Sequence, residues 1–168
     1  NVDGTKNMLR AATKSGVKKF VHYSSIHAFQ VHPLDETLDE SRPLIESDRI
    51  VYEYTKGQSE LEVAKASKEG LHTVIINPTA VIGPNDFRES YLGQAIRLIY
   101  RNNLPMLVEG GYNWVDVRDV AEGSIAAMEK AKSGEKYILS GHYSTLKELS
   151  ELIGNVSNKK TPKMVAPI

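Results

Sequence analysis

The alternation of short apolar runs with amphipathic helical segments is the feature of this sequence that most limits its fold. Residues 71–76 are rich in β-branched side chains, as a strand buried on both faces is, and Asn77-Pro78 closes the run. Three more strands are predicted, at residues 17–23, 104–108 and 136–139. Strands that alternate with helices indicate an α/β fold with a largely parallel sheet.

Helical periodicity fills the segments between these strands. Met8, Leu9 and Ala12 share one face of a first helix, which Gly16 is expected to end. Further helices are predicted at residues 50–68, at 89–101, from about residue 117 to 128, and from a capping box at Thr145 and Glu148 as far as Gly154. Residues 26–49 contain two prolines and many charges, so we predict a long surface loop.

The composition excludes several classes of function. The 168 residues carry 21 basic and 21 acidic side chains, and no basic cluster predicts binding to nucleic acid or to a membrane surface. Cysteine is absent, which excludes disulfides and thiolate zinc sites and is compatible with a cytoplasmic location. The five histidines show no metal-ligand spacing, so we predict no metal.

One local pattern points to proton transfer. Tyr52 and Lys56 lie four residues apart in a predicted helix and therefore share a face. A tyrosine ordinarily titrates near pH 10, and a neighbouring ammonium lowers its pKa by stabilising the phenolate. Ser25, at the end of the strand before this helix, could donate a hydrogen bond to a substrate oxygen. These three groups are what an enzyme needs to move the proton that accompanies a hydride.

Five motifs in register carry a resemblance. They are residues 1–7 (NVDGTKN), 16–25 (GVKKFVHYSS), Tyr52-x-x-x-Lys56, 77–84 (NPTAVIGP) and 114–121 (WVDVRDVA). Together they resemble the extended short-chain dehydrogenase/reductase family, also called the NAD-dependent epimerase/dehydratase family. The resemblance implies a Rossmann domain with a doubly wound, mostly parallel sheet, NAD or NADP as cofactor, and a small-molecule substrate.

The resemblance also implies roles for individual residues. Tyr52 would be the acid/base, Lys56 would bind the ribose, and Ser25 would orient the substrate. Ser24 and the segment Asn77, Pro78, Thr79, Ala80 and Val81 would contact the cofactor, together with Tyr52 and Lys56. The substrate-side candidates are His27, Phe29, Arg88, Tyr91 and Tyr112.

The motifs also separate the branches of the family. Dehydratases place an Asp-Glu pair where Ile26-His27 follows Ser25, so we reject a dehydratase. Epimerases usually carry an arginine, which clamps the diphosphate, where this chain has Tyr112. We therefore favour the dihydroflavonol-reductase-like and 3β-hydroxysteroid-dehydrogenase-like branch, whose members interconvert a secondary alcohol and a ketone on a relatively apolar substrate. A sugar-nucleotide epimerase and a non-catalytic nucleotide-binding regulator remain alternatives, and the resemblance makes a homodimer plausible.

The glycine-rich loop of the family, Gly-x-x-Gly-x-x-Gly, is not found in this sequence. We expect that loop upstream of Asn1, in a longer protein, and we expect this chain alone to be inactive. Within the chain we assign residues 1–84 to the C-terminal half of the dinucleotide-binding domain. Residues 85–168 would combine the last Rossmann elements with part of a small C-terminal substrate-binding region.

Overall fold

The structure, a computed structural model, describes residues 1–166. In chain order its elements are α1 (Val2–Lys14), β1 (Phe20–Tyr23), a 3₁₀ turn (Ile26–Ala28), α2 (Val51–Lys68), β2 (Thr73–Pro78), β3 (Ala80–Ile82), α3 (Tyr91–Tyr100), β4 (Leu107–Val108), β5 (Gly111–Asp116), α4 (Val117–Lys130), β6 (Lys136–Leu139), β7 (His142–Thr145), α5 (Leu146–Ser157) and β8 (Val165–Ala166). No helix within residues 1–166 is both long and apolar enough to cross a membrane.

The chain divides into two compact units. Unit 1 contains Asn1–Pro78 and Val120–Leu139, and unit 2 contains Thr79–Asp119 and the described residues from Ser140 to Ala166. The predicted boundary at residue 84 thus differs from the division after Pro78, and α4 returns the chain to unit 1. The functional meaning of the two predicted ranges stays a prediction.

Unit 1 is built on a parallel three-stranded sheet in the order β1-β2-β6. Side chains of β2 alternate between its two faces, because successive residues of a strand point in opposite directions. Ile75 packs with Leu9 of α1 and Val63 of α2, whereas Val74 and Ile76 pack with α4. The sheet is therefore covered by helices on both faces, which explains the continuous run of buried β-branched side chains at residues 73–76. The predicted α/β class with a mostly parallel sheet is confirmed.

Unit 2 has a small mixed sheet in the order β3-β5-β7, with β3 parallel and β7 antiparallel to β5. Its core cluster contains Ile99 of α3, Trp114 of β5 and Leu149 of α5. The predicted capping box is confirmed: Thr145 Oγ1 accepts from the Glu148 amide, and the Glu148 carboxylate accepts from the Thr145 amide.

Two local predictions are wrong. The last helix does not end at Gly154 but continues to Ser157 and is closed by left-handed Asn158. Gly154 instead allows Thr161 to pack closely against the helix, since a Cβ at this position would lie 3.0 Å from Thr161 Oγ1. Residues 26–49 are not simply a surface loop either, because they contain the 3₁₀ turn, a bridge between Phe29 and Leu44, and buried Arg42.

Candidate active site

Tyr52 and Lys56 lie on the first two turns of α2, as their spacing predicts. The Lys56 ammonium is 5.9 Å from the centroid of the Tyr52 ring. Tyr52 is about half exposed, so a small molecule can reach this residue. Asn1 supports this turn from α1, because its side-chain amide donates to Thr55 Oγ1 over 2.9 Å. The pair therefore has one accessible phenol with a cation close to its ring.

The carboxyl end of β1 anchors Lys56. Its ammonium donates to the carbonyl of Tyr23 over 3.0 Å. Partial burial lowers the pKa of Lys56 below its ordinary value, and the negative charge of Glu60 opposes that shift. An ammonium has three hydrogens, so the contact with Tyr23 leaves donors for other partners.

Ser24 and Ser25 follow β1 directly, and both are buried. Ser25 Oγ accepts from the His27 amide over 3.2 Å and so caps the 3₁₀ turn. Ser24 Oγ is buried and has no hydrogen-bond partner within residues 1–166. A buried hydroxyl without a partner is costly, and such a group at the carboxyl end of a parallel strand is positioned to meet a ligand.

His27 links the 3₁₀ turn to α2. Its Nδ1 lies 3.3 Å from a carboxylate oxygen of Glu53, and its ring meets the Tyr52 ring edge-on, with centroids 6.4 Å apart. Glu53 thus orients the imidazole beside the phenol. His27, a predicted substrate-side residue, therefore lies beside Tyr52.

A buried polar network lies behind the carboxyl end of the sheet in unit 1. Asn77, at the end of β2, is fully buried, and its side-chain amide donates to the Ser25 carbonyl over 3.0 Å and to Glu60 over 2.6 Å. The Lys136 ammonium donates to the other Glu60 oxygen over 2.7 Å. Two elements of the predicted site, Ser25 and the start of the Asn77 segment, are therefore tied together by hydrogen bonds.

His22 is the other titratable group of this region. Burial and, to a smaller extent, the positive charge of Lys56 together lower the pKa of His22 to about 4, although the negative charge of Glu60 partly opposes them. His22 is therefore neutral at neutral pH. Its Nε2 has no hydrogen-bond partner among the described residues.

Of the other predicted residues, Pro78 ends β2 and Phe29 also lies in unit 1, and the rest lie in unit 2. Thr79 precedes β3 and donates to Asn113 over 3.2 Å, and Ala80 and Val81 are half-buried in β3. Arg88 and Tyr91 are exposed, and Tyr112 packs edge-on against Trp114. Unit 2 also holds an open cavity of about 500 Å³, lined by Val81, Ile82, Asp86, Ile96, Arg97 and Val117 among others.

Phe29 does not suit the substrate role predicted for it. Its side chain is 1% exposed and packs beneath the Lys136 ammonium, 5.1 Å from the ring centroid. A core aromatic offers no surface to a ligand, so we do not carry Phe29 into the proposed site.

Sequence reasoning missed Glu60 and Glu53 as members of this region. A glutamate in a polar helix is ordinarily expected at the surface, yet Glu60 is 1% exposed. Its position four residues after Lys56 was the available signal, because that spacing repeats the face shared by Tyr52 and Lys56.

A parallel sheet covered by helices on both faces defines a Rossmann-type α/β unit, and Lys56 is anchored at the carboxyl end of its strand β1. Comparison with protein families then makes the assignment specific. The model of the family described as "NAD dependent epimerase/dehydratase family" matches residues 1–140 of this chain. The chain belongs to this family.

Two individual relatives and one solved structure agree with this family assignment. The chain is 30% identical over 167 residues to "Sterol demethylase protein B" of Methylococcus capsulatus, covering 99% of this chain and 51% of that protein. It is 32% identical over 173 residues to "Putative dihydroflavonol 4-reductase" of Synechocystis, covering 100% and 50%. The crystal structure of gox2253 superposes with a TM-score of 0.91 at 36% identity, covering 99% of this chain and 51% of that one. The chain thus spans about half the length of the relatives it matches.

Proposed function

We propose that the whole protein is an NAD(P)-dependent oxidoreductase that interconverts a secondary alcohol and a ketone on a small, relatively apolar substrate. One observation carries the proposal: the Lys56 ammonium, fixed by the Tyr23 carbonyl, lies beside the accessible Tyr52 phenol at the carboxyl end of the sheet. The membership of the chain in an NAD-dependent family supports it.

In the proposed mechanism Tyr52 is the proton donor for reduction and the proton acceptor for oxidation. When a ketone is reduced, its oxygen takes the proton of the Tyr52 hydroxyl as its carbon gains a hydride. The positive charge of Lys56 stabilises the phenolate that remains. The Ser25 hydroxyl donates to the same substrate oxygen and holds it against Tyr52. Oxidation of the alcohol reverses each of these steps.

The residues present fit the nicotinamide half of a dinucleotide. The two ammonium hydrogens of Lys56 not used by Tyr23 can donate to the ribose hydroxyls, and the buried Ser24 hydroxyl lacks a partner among the described residues. A bound nicotinamide nucleotide would supply or accept the hydride. We propose the segment from Asn77 to Val81 as further cofactor contacts. Both amide hydrogens of Asn77 are used by Ser25 and Glu60, whereas its buried Oδ1 has no hydrogen-bond partner among the described residues.

The relatives and Tyr112 support the proposed substrate class. The names of two relatives refer to a dihydroflavonol reductase and to a sterol demethylase protein, which favours an apolar ring system over a sugar nucleotide. Tyr112 replaces a fixed phosphate-binding arginine with an aromatic surface. We keep His27, Arg88 and Tyr91 as proposed substrate contacts. The cytoplasmic location and the homodimer remain proposals too.

The test uses the full-length protein with NADH or NADPH and a panel of cyclic ketones, following cofactor oxidation. Tyr52→Phe is expected to lower kcat by about 10²–10⁴-fold. Tyr54→Phe, a matched change two residues away on α2, is expected to leave kcat within about twofold, an effect of less than 0.5 kcal/mol.

Cofactor binding and turnover, measured together, distinguish the oxidoreductase from a regulator and from an epimerase. If Tyr52→Phe binds NADH and keeps wild-type turnover, the proposed mechanism is wrong. Nucleotide binding without any turnover would favour a regulator. Conversion of a UDP-sugar to its epimer, with no net change in NADH, would favour an epimerase.

A further inference from the structure

A buried carboxylate in unit 1 is not used by the proposed mechanism. Glu60 is 1% exposed, and both of its oxygens are engaged, one by Asn77 over 2.6 Å and the other by Lys136 over 2.7 Å. Burying a carboxylate costs free energy that a single ion pair often fails to offset. Replacing such a pair with apolar side chains is often neutral for stability, so stability alone is a poor reason for this network.

Asn77 connects this carboxylate to the end of β1. Its side-chain amide has two hydrogens, and both are used: one bonds to Glu60 and the other to the Ser25 carbonyl. A charged acceptor forms the stronger of two such bonds, so Glu60 sets the orientation of the amide plane. The amide in turn fixes the backbone from which the Ser25 hydroxyl projects.

Glu60 also acts along its own helix. Tyr52, Lys56 and Glu60 follow one another at four-residue intervals and share a face of α2. The charge of Glu60 raises the pKa of Lys56 against the lowering effect of burial. It therefore favours the ammonium form on which the Tyr52 phenolate would depend.

We propose that Glu60 is a positioning residue for the site: it locks Asn77 onto the Ser25 backbone, and it does so from a position one helical turn beyond Lys56 on the same face of α2. The inference rests on the proposed function for its catalytic meaning. Its structural part, the coupling of Glu60 to Asn77 and Lys56, can be measured without any activity.

The experiment compares Glu60→Gln with Glu62→Gln in the full-length protein. Both changes remove one negative charge from α2, but Glu62 pairs with Lys6 on a partly exposed surface. NMR of protein labelled at asparagine side chains reports the Asn77 amide, which is identified by its loss in Asn77→Asp. NMR of protein labelled at lysine Cε reports the titration of Lys56.

In Glu60→Gln we expect the Asn77 amide signals to shift and the pKa of Lys56 to fall. We also expect kcat to drop on the order of tenfold while KM for the cofactor changes less than about twofold, since a misplaced catalytic group costs rate. Glu62→Gln is expected to change none of these. Unchanged Asn77 signals and Lys56 titration in Glu60→Gln would overturn the proposal, and so would a wild-type kcat.

If Glu60→Gln does not fold, Glu60→Asp replaces it, because it keeps the charge and shortens the reach to Asn77. Shifted Asn77 signals and a reduced kcat, with Lys56 titrating as in the wild type, support the proposal; wild-type values of all three overturn it. The variants can confirm that Glu60 is coupled to Asn77 and Lys56 even if the wild-type protein transfers no hydride. That result would contradict the proposed function but not the coupling.

Discussion

His22 allows a quantitative prediction about pH and stability. Its pKa is lowered from 6.5 to about 4 in the folded protein, with burial as the main cause and the charge of Lys56 adding to it. The unfolded chain takes up a proton at this histidine near pH 6.5, whereas the folded protein does not. Stability is therefore lost as the pH falls from about 6.5 towards 4.

The size of this effect follows from the shift. Each pKa unit corresponds to about 1.4 kcal/mol, so the full loss is about 3 kcal/mol, of which about 2 kcal/mol falls between pH 7 and pH 5. Hydrogen bonds from Arg118 lower the pKa of Asp116 to about 2, so Asp116 affects the pH dependence of stability only below pH 5.

The assay is urea unfolding of the wild type, His22→Phe and His142→Asn at pH 7 and pH 5. Far-UV circular dichroism is the better probe, because the one tryptophan lies in unit 2 and His22 in unit 1. The wild type is expected to lose about 2 kcal/mol more than His22→Phe over this interval. His142→Asn, a change at an exposed histidine, is the matched control. Equal pH dependence in the wild type and His22→Phe would refute the reasoning.

Three substitutions test the packing and the backbone by chemical unfolding. Ile76→Ala removes a fully buried side chain between β2 and α4 and should cost about 2–5 kcal/mol; a cost below about 1 kcal/mol would contradict this packing. Gly83→Ala should cost about 1–3 kcal/mol, because φ is 147° and a Cβ would lie 2.6 Å from Val117 Cγ1; an unchanged urea midpoint would refute the clash. Thr145→Ala should cost about 1 kcal/mol through loss of the α5 cap, with Thr145→Ser as the variant that restores stability.

The elements that sequence reasoning located are those with a strong local signal. The buried strand at β2, the helix that carries Tyr52 and Lys56, and the capping box at Thr145 each depend on neighbouring residues, and the structure has all three. Tyr52 and Lys56 meet because a helix alone brings residues four apart together.

The missed features depend on contacts between residues that are distant in the sequence. β5 and β7 pair antiparallel in unit 2, and no local pattern in Gly111–Asp116 predicts that pairing. The same holds for residues 26–49, where Arg42 becomes buried because its guanidinium donates to the carbonyls of Pro33, Glu36 and Thr37. A charged residue such as Glu60 is ordinarily expected at the surface, and its burial becomes evident only from its contacts with Asn77 and Lys136.

The most direct test of the account follows the hydride itself. The full-length protein would be supplied with NADH deuterated at the transferable position and with a cyclic ketone, and the alcohol product would be analysed by mass spectrometry. The account predicts deuterium on the carbinol carbon of the product, and far less product from Tyr52→Phe at equal cofactor occupancy. Alcohol without deuterium, or equal deuterium transfer by Tyr52→Phe, would contradict it.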